Sequence, residues 1–453
     1  MSVAPITMPA GRPMQPIRRS RTADKRDKTS FMDWLDSAFF AVVVLFSADA
    51  FMFLGLNSII WLLCYAYIFL RMAMSLSQVA EALERNWVLL LYPALSASSV
   101  LWSDLPSETL RFSLQLGVTA LIAIFLGSRF SIQQIYRTFF MVMFFTMIVS
   151  VMNLTSAITP AYDARDLFQG IFNSKNSLGH RAVLFAVTCA FGILILPNLR
   201  PRFRLACVMG LLCVTVVLMV AGSATGILFS VAASGAGMAL WFLLRWRSAW
   251  AFLAAAAMAA LGLFLIASLF TRLDPLSFLL GLVGRDATLT GRTILWDFGW
   301  EHYLAHPWLG YGAAGFWDNP HFASDIIALR SRYGEGVVGF HNLIIELLVT
   351  LGPMGVVAHC AMTLTALFRT FWHARYRANA YAAWAFTLIL AIFGMSMLGA
   401  QYFQGHSIVI MLVLILAAAF PSPLAPRTAS RMRPSSNPWD NSFPTFPEFK
   451  GMS

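Results

Sequence analysis

His341 and Asn342 open a long apolar run, with nine residues between Asn342 and Gly352 and two more between Gly352 and Gly355. On an α-helix, His341, Ile345, Leu348, Gly352 and Gly355 share one stripe. The glycines would leave a shallow groove below the histidine, open to a neighbouring helix or a lipid tail. A polar headgroup could sit at His341 with its tail along the stripe. The plainer alternative is an interfacial histidine above ordinary glycine packing. Histidine titrates near neutrality and can serve as a general base or as a cation. Lys175 is the only lysine between residues 29 and 449. It could hold a phosphate or a sugar hydroxyl, or it could simply snorkel to an interface. Glu346 falls inside the same apolar run as His341, where a carboxylate calls for a partner; Asn342, four residues earlier, is the expected one. Arg111 stands beside Asp104 and Glu108, and an ion pair with Glu108 is the simplest reading.

Other chemistries find no support. His302 and His306 are four apart, but the pattern is not HExxH and no third ligand is evident, so no metal is expected. The five cysteines lie in apolar runs without a CxxC pair, which points to neither disulfides nor zinc. No GxxxxGK[ST] loop occurs. Gly222-Ser223-Ala224-Thr225-Gly226 looks superficially like a nucleophile elbow but lies between two apolar runs, and reads as a tight turn.

The elements that must position these residues are membrane helices. Of 453 residues, 58% are hydrophobic and only 12% charged; a soluble domain carries about 25% charged residues. Continuous apolar runs, rather than alternation, exclude a β-barrel and predict an all-α integral membrane protein of about 12 spans. Spans are expected near 34–50, 56–73, 86–102, 110–127, 138–156, 179–196, 205–221, 225–244, 249–269, 341–368, 380–399 and 406–420.

The layout is then a disordered basic tail at 1–30, nine spans within 31–269, a long outer loop at 270–340, three spans within 341–420, and a Pro-rich tail at 421–453. The net charge of +11 does not signal nucleic acid, because the basic residues cluster between apolar runs. Arg71/Arg85, Arg129/Arg137, Arg200/Arg202/Arg204, Arg245/Arg247, Arg369/Arg375/Arg377 and Arg427/Arg431/Arg433 all fall on one expected side, with both termini, which makes that side cytoplasmic. The loop 270–340 carries Arg272, Arg285, Arg292, Arg330 and Arg332, and within it 292–306 reads as an amphipathic helix ended by Pro307. No internal repeat or matched pair of broken helices is visible, which argues against a transporter.

The run His341-Asn342-x9-Gly352-x-x-Gly355 resembles the motif shared by O-antigen ligases and Wzy-type polysaccharide polymerases. Gly291-Arg292, Trp296 and Pro307-Trp308-Leu309-Gly310-Tyr311-Gly312 resemble the family's GR…W…P-x-x-G-x-G block. Phe172 to Gly179, with Lys175 and Asn176, resembles the K-N-x-x-G block of the exopolysaccharide polymerase branch, and Trp102-Ser103-Asp104 is a pattern also common in the family. The motifs cover about 170–360 and the topology covers the whole chain.

The resemblance implies a GT-C-like membrane enzyme of the bacterial inner membrane. Such an enzyme moves a glycan from a polyprenyl diphosphate carrier to an acceptor hydroxyl on the periplasmic face. It implies His341 and Arg292 as catalytic residues, and Lys175, Asn176, Asn342, Tyr311, Arg330 and Arg332 as substrate-binding ones. Gly352 and Gly355 would serve helix packing or a lipid groove. Arginine suits the departing diphosphate because its planar fork bonds two oxygens at once, so neither metal nor soluble cofactor is called for. The expected partners are the lipid-linked oligosaccharide, the bilayer and other polysaccharide export proteins. His341 could act as base or bind the diphosphate. The Lys-Asn block favours a polymerase; the alternatives are a ligase that transfers the glycan to lipid A core or another acceptor, and a non-catalytic transporter of lipid-linked glycans.

Overall fold

The computed structural model describes residues 31–163, 166–245, 290–333, 339–397, 399 and 405–423. The expected span at 249–269, the 1–30 tail and nearly all of the C-terminal tail lie outside the described residues, as do Arg272 and Arg285. Among the described residues the regular structure is all helix apart from two isolated bridges, Ala50 with Phe172 and Tyr162 with Phe168. In order the helices are α1 (Phe31–Ser47), α2 (Asn57–Ala73), α3 (Leu76–Arg85), α4 (Leu91–Ser98), α5 (Pro106–Arg129), α6 (Ile132–Met152), α7 (Lys175–Leu194), α8 (Pro201–Val220), α9 (Ala224–Arg245), α10 (Thr290–Ala305), α11 (Ala323–Tyr333), α12 (Leu343–Tyr376), α13 (Ala380–Ser396) and α14 (Ile408–Ala419).

The starts of these helices follow from local chemistry. Pro106 and Pro201 occupy first-turn positions, where a missing N–H is no loss. Ser131 and Gln134 form a reciprocal capping box on α6, at 3.3 and 2.9 Å. Asn379 caps α13 by accepting from the N–H groups of Tyr381 and Ala382. The Gly222–Gly226 stretch makes the expected turn between α8 and α9, where Ser223 accepts the Gly226 N–H.

Apart from 249–269, each expected span overlaps a described helix. Six helices are long and apolar enough to cross a membrane, or up to seven if α2 and α3, bent by 102°, make one span. The figure of twelve is therefore not reached among the described residues. The 12 residues of α14 rise only about 18 Å, well short of a bilayer core of about 30 Å. α14 is buried almost throughout, packed against α5 and α12. α3 turns Val79 and Ala82 inward and leaves Ser77, Gln78 and Glu84 exposed, as expected of a helix lying at an interface.

The two ends of the bundle differ in character. At one end, Asp36 is fully buried and receives both Arg71 (2.8 and 2.9 Å) and Arg129 (3.2 Å), together with the Tyr67 hydroxyl at 2.7 Å. Arg129 also bonds Asp33, and Arg369 reaches Asn86 and the Arg85 carbonyl. Arg71, Arg85, Arg129 and Arg369, expected on one side from their clustering, thus meet at one end. The opposite end gathers residues 99–105, α10, the segment 306–322 and the start of α12, and it carries the candidate chemistry.

Candidate functional site

The site is organised around a break in α12. Its 34 residues would run about 51 Å if regular, but Gly352 adopts φ 63, ψ −164 and Pro353 follows it. Val349 would ordinarily bond the N–H of residue 353, and proline has none. The Tyr311 N–H bonds Val349 O instead, at 3.0 Å, and the Gly312 N–H bonds Thr350 O at 2.8 Å. The segment 308–312 therefore completes the helix where the helix cannot complete itself. Only glycine fits at 352, because its backbone conformation is closed to other residues and a Cβ would run into the Trp308 carbonyl.

This corrects the expected stripe. Gly352 is covered by the backbone of Trp308 and Leu309, and a Cβ on Gly355 would meet its own helix at Leu351 and Leu347. Neither glycine forms an open groove for a lipid tail, and the break takes Gly352 out of helical register with His341.

The short segment before α5 fixes the loop from the other side. The Trp102 indole donates to Leu309 O at 3.0 Å, Ser99 Oγ accepts the Ala313 N–H at 3.1 Å, and Asn319 Nδ2 donates to Asp104 Oδ2 at 3.1 Å. The Trp102-Ser103-Asp104 pattern thus docks the loop. Between it and α12, Tyr311, Phe316, Phe340, Ile345 and Val349 form a small aromatic-rich core with Trp296, Phe298 and Trp317 around it. His302 packs edge-on against Phe316 and Phe322, and its Nδ1 pairs with Phe298 O at 2.8 Å. His306 lies 4.4 Å from the Tyr311 ring, centroid to centroid. The two histidines belong to this packing, and among the described residues no three His, Cys, Asp or Glu side chains converge.

Tyr311, expected to bind substrate, is 4% exposed and donates its hydroxyl to His302 O at 3.4 Å. Burial, with the negative charge of Asp104, pushes its phenol above the usual range. It is a packing residue here.

His341 is not the first residue of the helix. It is half-buried and left-handed, at φ 53, and α12 begins at Leu343 with Asn342 as its cap. Asn342 accepts from the N–H groups of Ile344 and Ile345 at 3.0 and 3.2 Å. Its side chain is therefore not the partner of Glu346, as the spacing had led us to expect. Glu346 instead accepts from the Trp317 indole at 2.7 Å and from the Phe340 N–H at 2.8 Å.

Arg292 lies in the first turn of α10, and its side chain lies outside the described ones. Its backbone position is one turn before Trp296, on the same helix face. The Trp296 indole donates to Phe340 O at 3.0 Å, next to His341 in sequence, and Gly299 faces Ile345 and Phe340. α10 therefore meets the start of α12 at Trp296 and Gly299, and the Arg292 position lies one turn before Trp296. Arg330 sits half-buried on α11, and Arg332, on the same helix, has its side chain outside the described ones. Arg111 pairs with Glu108 at 2.6 Å, as expected.

Lys175 and Asn176 begin α7, capped by Ser174. They lie at the same end of the bundle, since α1 starts at the Asp36 cluster and finishes near Asp49, which pairs with Arg181 of α7 at 2.6 Å. Lys175 donates to Gly222 O at 3.5 Å, and no described hydrogen bond joins it to the residues around His341.

Sequence reasoning missed the structural parts of Pro353 and Trp317, and it read Glu346 as structural but with the wrong partner. Pro353 stood in plain view between the two glycines, and a proline in a helical run is itself a signal of a break. Trp317 carried no signal.

Residues 209–360 match the O-antigen ligase family. That segment contains Arg292, Tyr311, Arg330, Arg332, His341, Asn342, Gly352 and Gly355, and leaves out Lys175 and Asn176. The chain is also similar to the exopolysaccharide production protein ExoQ of Rhizobium meliloti (strain 1021), with 27% identity over 277 residues, 60% of this chain and 62% of the relative. The match thus spans about three fifths of that relative's length. Over these matched segments this multi-pass membrane protein is similar to O-antigen ligases and to an exopolysaccharide production protein.

Proposed function

We propose that the chain is a polysaccharide polymerase. It moves a growing glycan from one polyprenyl diphosphate carrier to the acceptor hydroxyl of another lipid-linked repeat unit, on the periplasmic face of a bacterial inner membrane. The observation that carries this reading is the meeting of α10 and α12, which sets the Arg292 position one turn from the tryptophan bonded beside His341. In the reaction the glycosidic bond to the diphosphate breaks as the acceptor oxygen bonds to the same sugar carbon. The leaving diphosphate gathers negative charge, and a guanidinium at Arg292 offsets it with two hydrogen bonds at once. The acceptor proton passes to His341 as general base. Because arginine supplies the positive charge, the mechanism requires no metal.

The segment 306–322, docked on α12 and on Trp102 and Asp104, keeps bulk water from the donor, which water would otherwise hydrolyse. Lys175, Asn176 and Arg330, at the same end of the bundle, extend the substrate surface. If His341 acts as base, activity falls on the acid side of the profile. If instead it binds the diphosphate as a cation, activity falls on the alkaline side.

A second reading is favoured by the family match, which names ligases: transfer of the finished chain to lipid A core. Purified protein given lipid-linked repeat units, with and without lipid A core, separates the two. A polymerase elongates the repeat units whether or not the core is present; a ligase forms a product only with it. Arg292→Lys keeps the charge and removes the fork. It is expected to lower turnover by about 1.4–2.7 kcal/mol of transition-state stabilisation, roughly ten- to a hundredfold. Turnover equal to wild type would remove Arg292 from the reaction centre.

A further inference from the structure

Glu346 is 1% exposed, one turn into α12, and both of its carboxyl oxygens are engaged. Oε1 accepts the Trp317 indole N–H at 2.7 Å, and Oε2 accepts the Phe340 N–H at 2.8 Å. The carbonyl of Phe340 is held as well, by the Trp296 indole at 3.0 Å. The Phe340 ring is fully buried, 4.7 Å from Trp317 and 5.3 Å from Phe316, centroid to centroid. Phe340 is thus fixed through its N–H, its carbonyl and its side chain, by groups from α10, the docked loop and α12. On the far side of His341, Asn342 is 2% exposed and tied to two N–H groups of α12.

Between these fixed neighbours His341 holds a left-handed backbone at φ 53. A left-handed non-glycine residue costs roughly 1–2 kcal/mol and persists only where its surroundings over-determine it. A buried carboxyl is costly to install, and this one spends both oxygens on two donors, so its effect falls on whatever the donors carry. One donor is the N–H of Phe340, the residue before His341, and the other is the indole packed against the Phe340 ring.

We propose that Glu346 is a positioning residue for His341: with Trp317 and Trp296 it grips Phe340 and so sets the direction in which the imidazole is presented. The inference rests on the reading of His341 as the reacting histidine, and its test separates the two. Glu346→Gln is nearly isosteric, but its amide has one acceptor oxygen where two donors wait, so one bond becomes a donor facing a donor. Trp317→Phe removes one donor and keeps the Phe340 bond, so it is the milder probe should Glu346→Gln fail to fold.

The measurements are steady-state elongation of a lipid-linked repeat unit, and the rate at which diethylpyrocarbonate modifies His341, read by peptide mass. The second needs no activity. In Glu346→Gln, kcat is expected to fall about a hundredfold, with KM for the donor within about twofold and the His341 modification rate clearly altered. Trp317→Phe is expected to shift the same readouts in the same direction by about tenfold or less. Wild-type kcat and modification rate in either folded variant would overturn the proposal. An altered modification rate in Glu346→Gln, with His341→Asn itself fully active, would sustain the positioning role and reject the histidine's part in the reaction.

Discussion

His341 has to be both mobile in protons and fixed in space, and its neighbours supply the second condition. Asn342 caps α12, so the histidine stands one residue outside the helix in a left-handed conformation. Asparagine tolerates that conformation better than alanine does. His341→Asn is therefore expected to leave the fold intact and abolish transfer, whereas His341→Ala adds backbone strain to the same loss. Thermal midpoints in detergent, read beside turnover, separate the two effects. Equal stability of the Asn and Ala variants would show that the backbone there is not under strain. That a helix starts close to His341 and Asn342 was legible from residue types and spacing. The partner of Glu346 was not, because the i to i+4 argument needs Asn342 inside the helix, and a cap residue lies outside helical geometry. Tyr311 was legible as a motif position but not as a buried ring, since its burial depends on Phe316 and Phe322 arriving from elsewhere in the loop.

At the scale of elements, the defining contact is the docking of 308–312 onto the break in α12. Gly352→Ala is expected to cost about 1–3 kcal/mol in backbone strain and to displace the loop through its clash with the Trp308 carbonyl. Both the thermal midpoint and the elongation rate should fall; a variant with wild-type values for both would contradict this account of the break. Trp102→Phe removes one bond to the same loop, at Leu309 O, and should lower elongation more than stability. A loss of stability without loss of rate would make Trp102 a packing residue only. α10 was readable from its amphipathic pattern and from Pro307 at its end, and it begins two residues before the expected 292. The route of 306–322 was not readable, because backbone-to-backbone bonds between Tyr311 and Val349, or Gly312 and Thr350, leave no mark in residue type beyond glycine and proline.

Across the whole molecule, the two ends do different work. The Asp36 cluster ties α1, α2 and α5 together far from the site. Asp36→Ala strands Arg71 in a buried setting and leaves Arg129 with Asp33 alone, and is expected to destabilise by about 3–5 kcal/mol while leaving kcat per folded molecule unchanged. A fall in kcat at full occupancy of the folded state would mean that the ends are coupled. The membrane class and the clustering of arginines at one end were legible, because apolar runs and loop charges are imposed by the bilayer itself. The number of spans was not, since short buried helices such as α14 and the bent pair α2–α3 have the composition of spans without their length. The central claim, that this chain elongates lipid-linked glycans through His341, is tested most directly in liposomes. Purified protein would be given a polyprenyl-diphosphate-linked repeat unit with EDTA present, and the products separated on a gel. The account predicts a ladder of longer lipid-linked glycans from the wild type and none from folded His341→Asn. An undiminished ladder from His341→Asn, or transfer only when lipid A core is supplied, would contradict it.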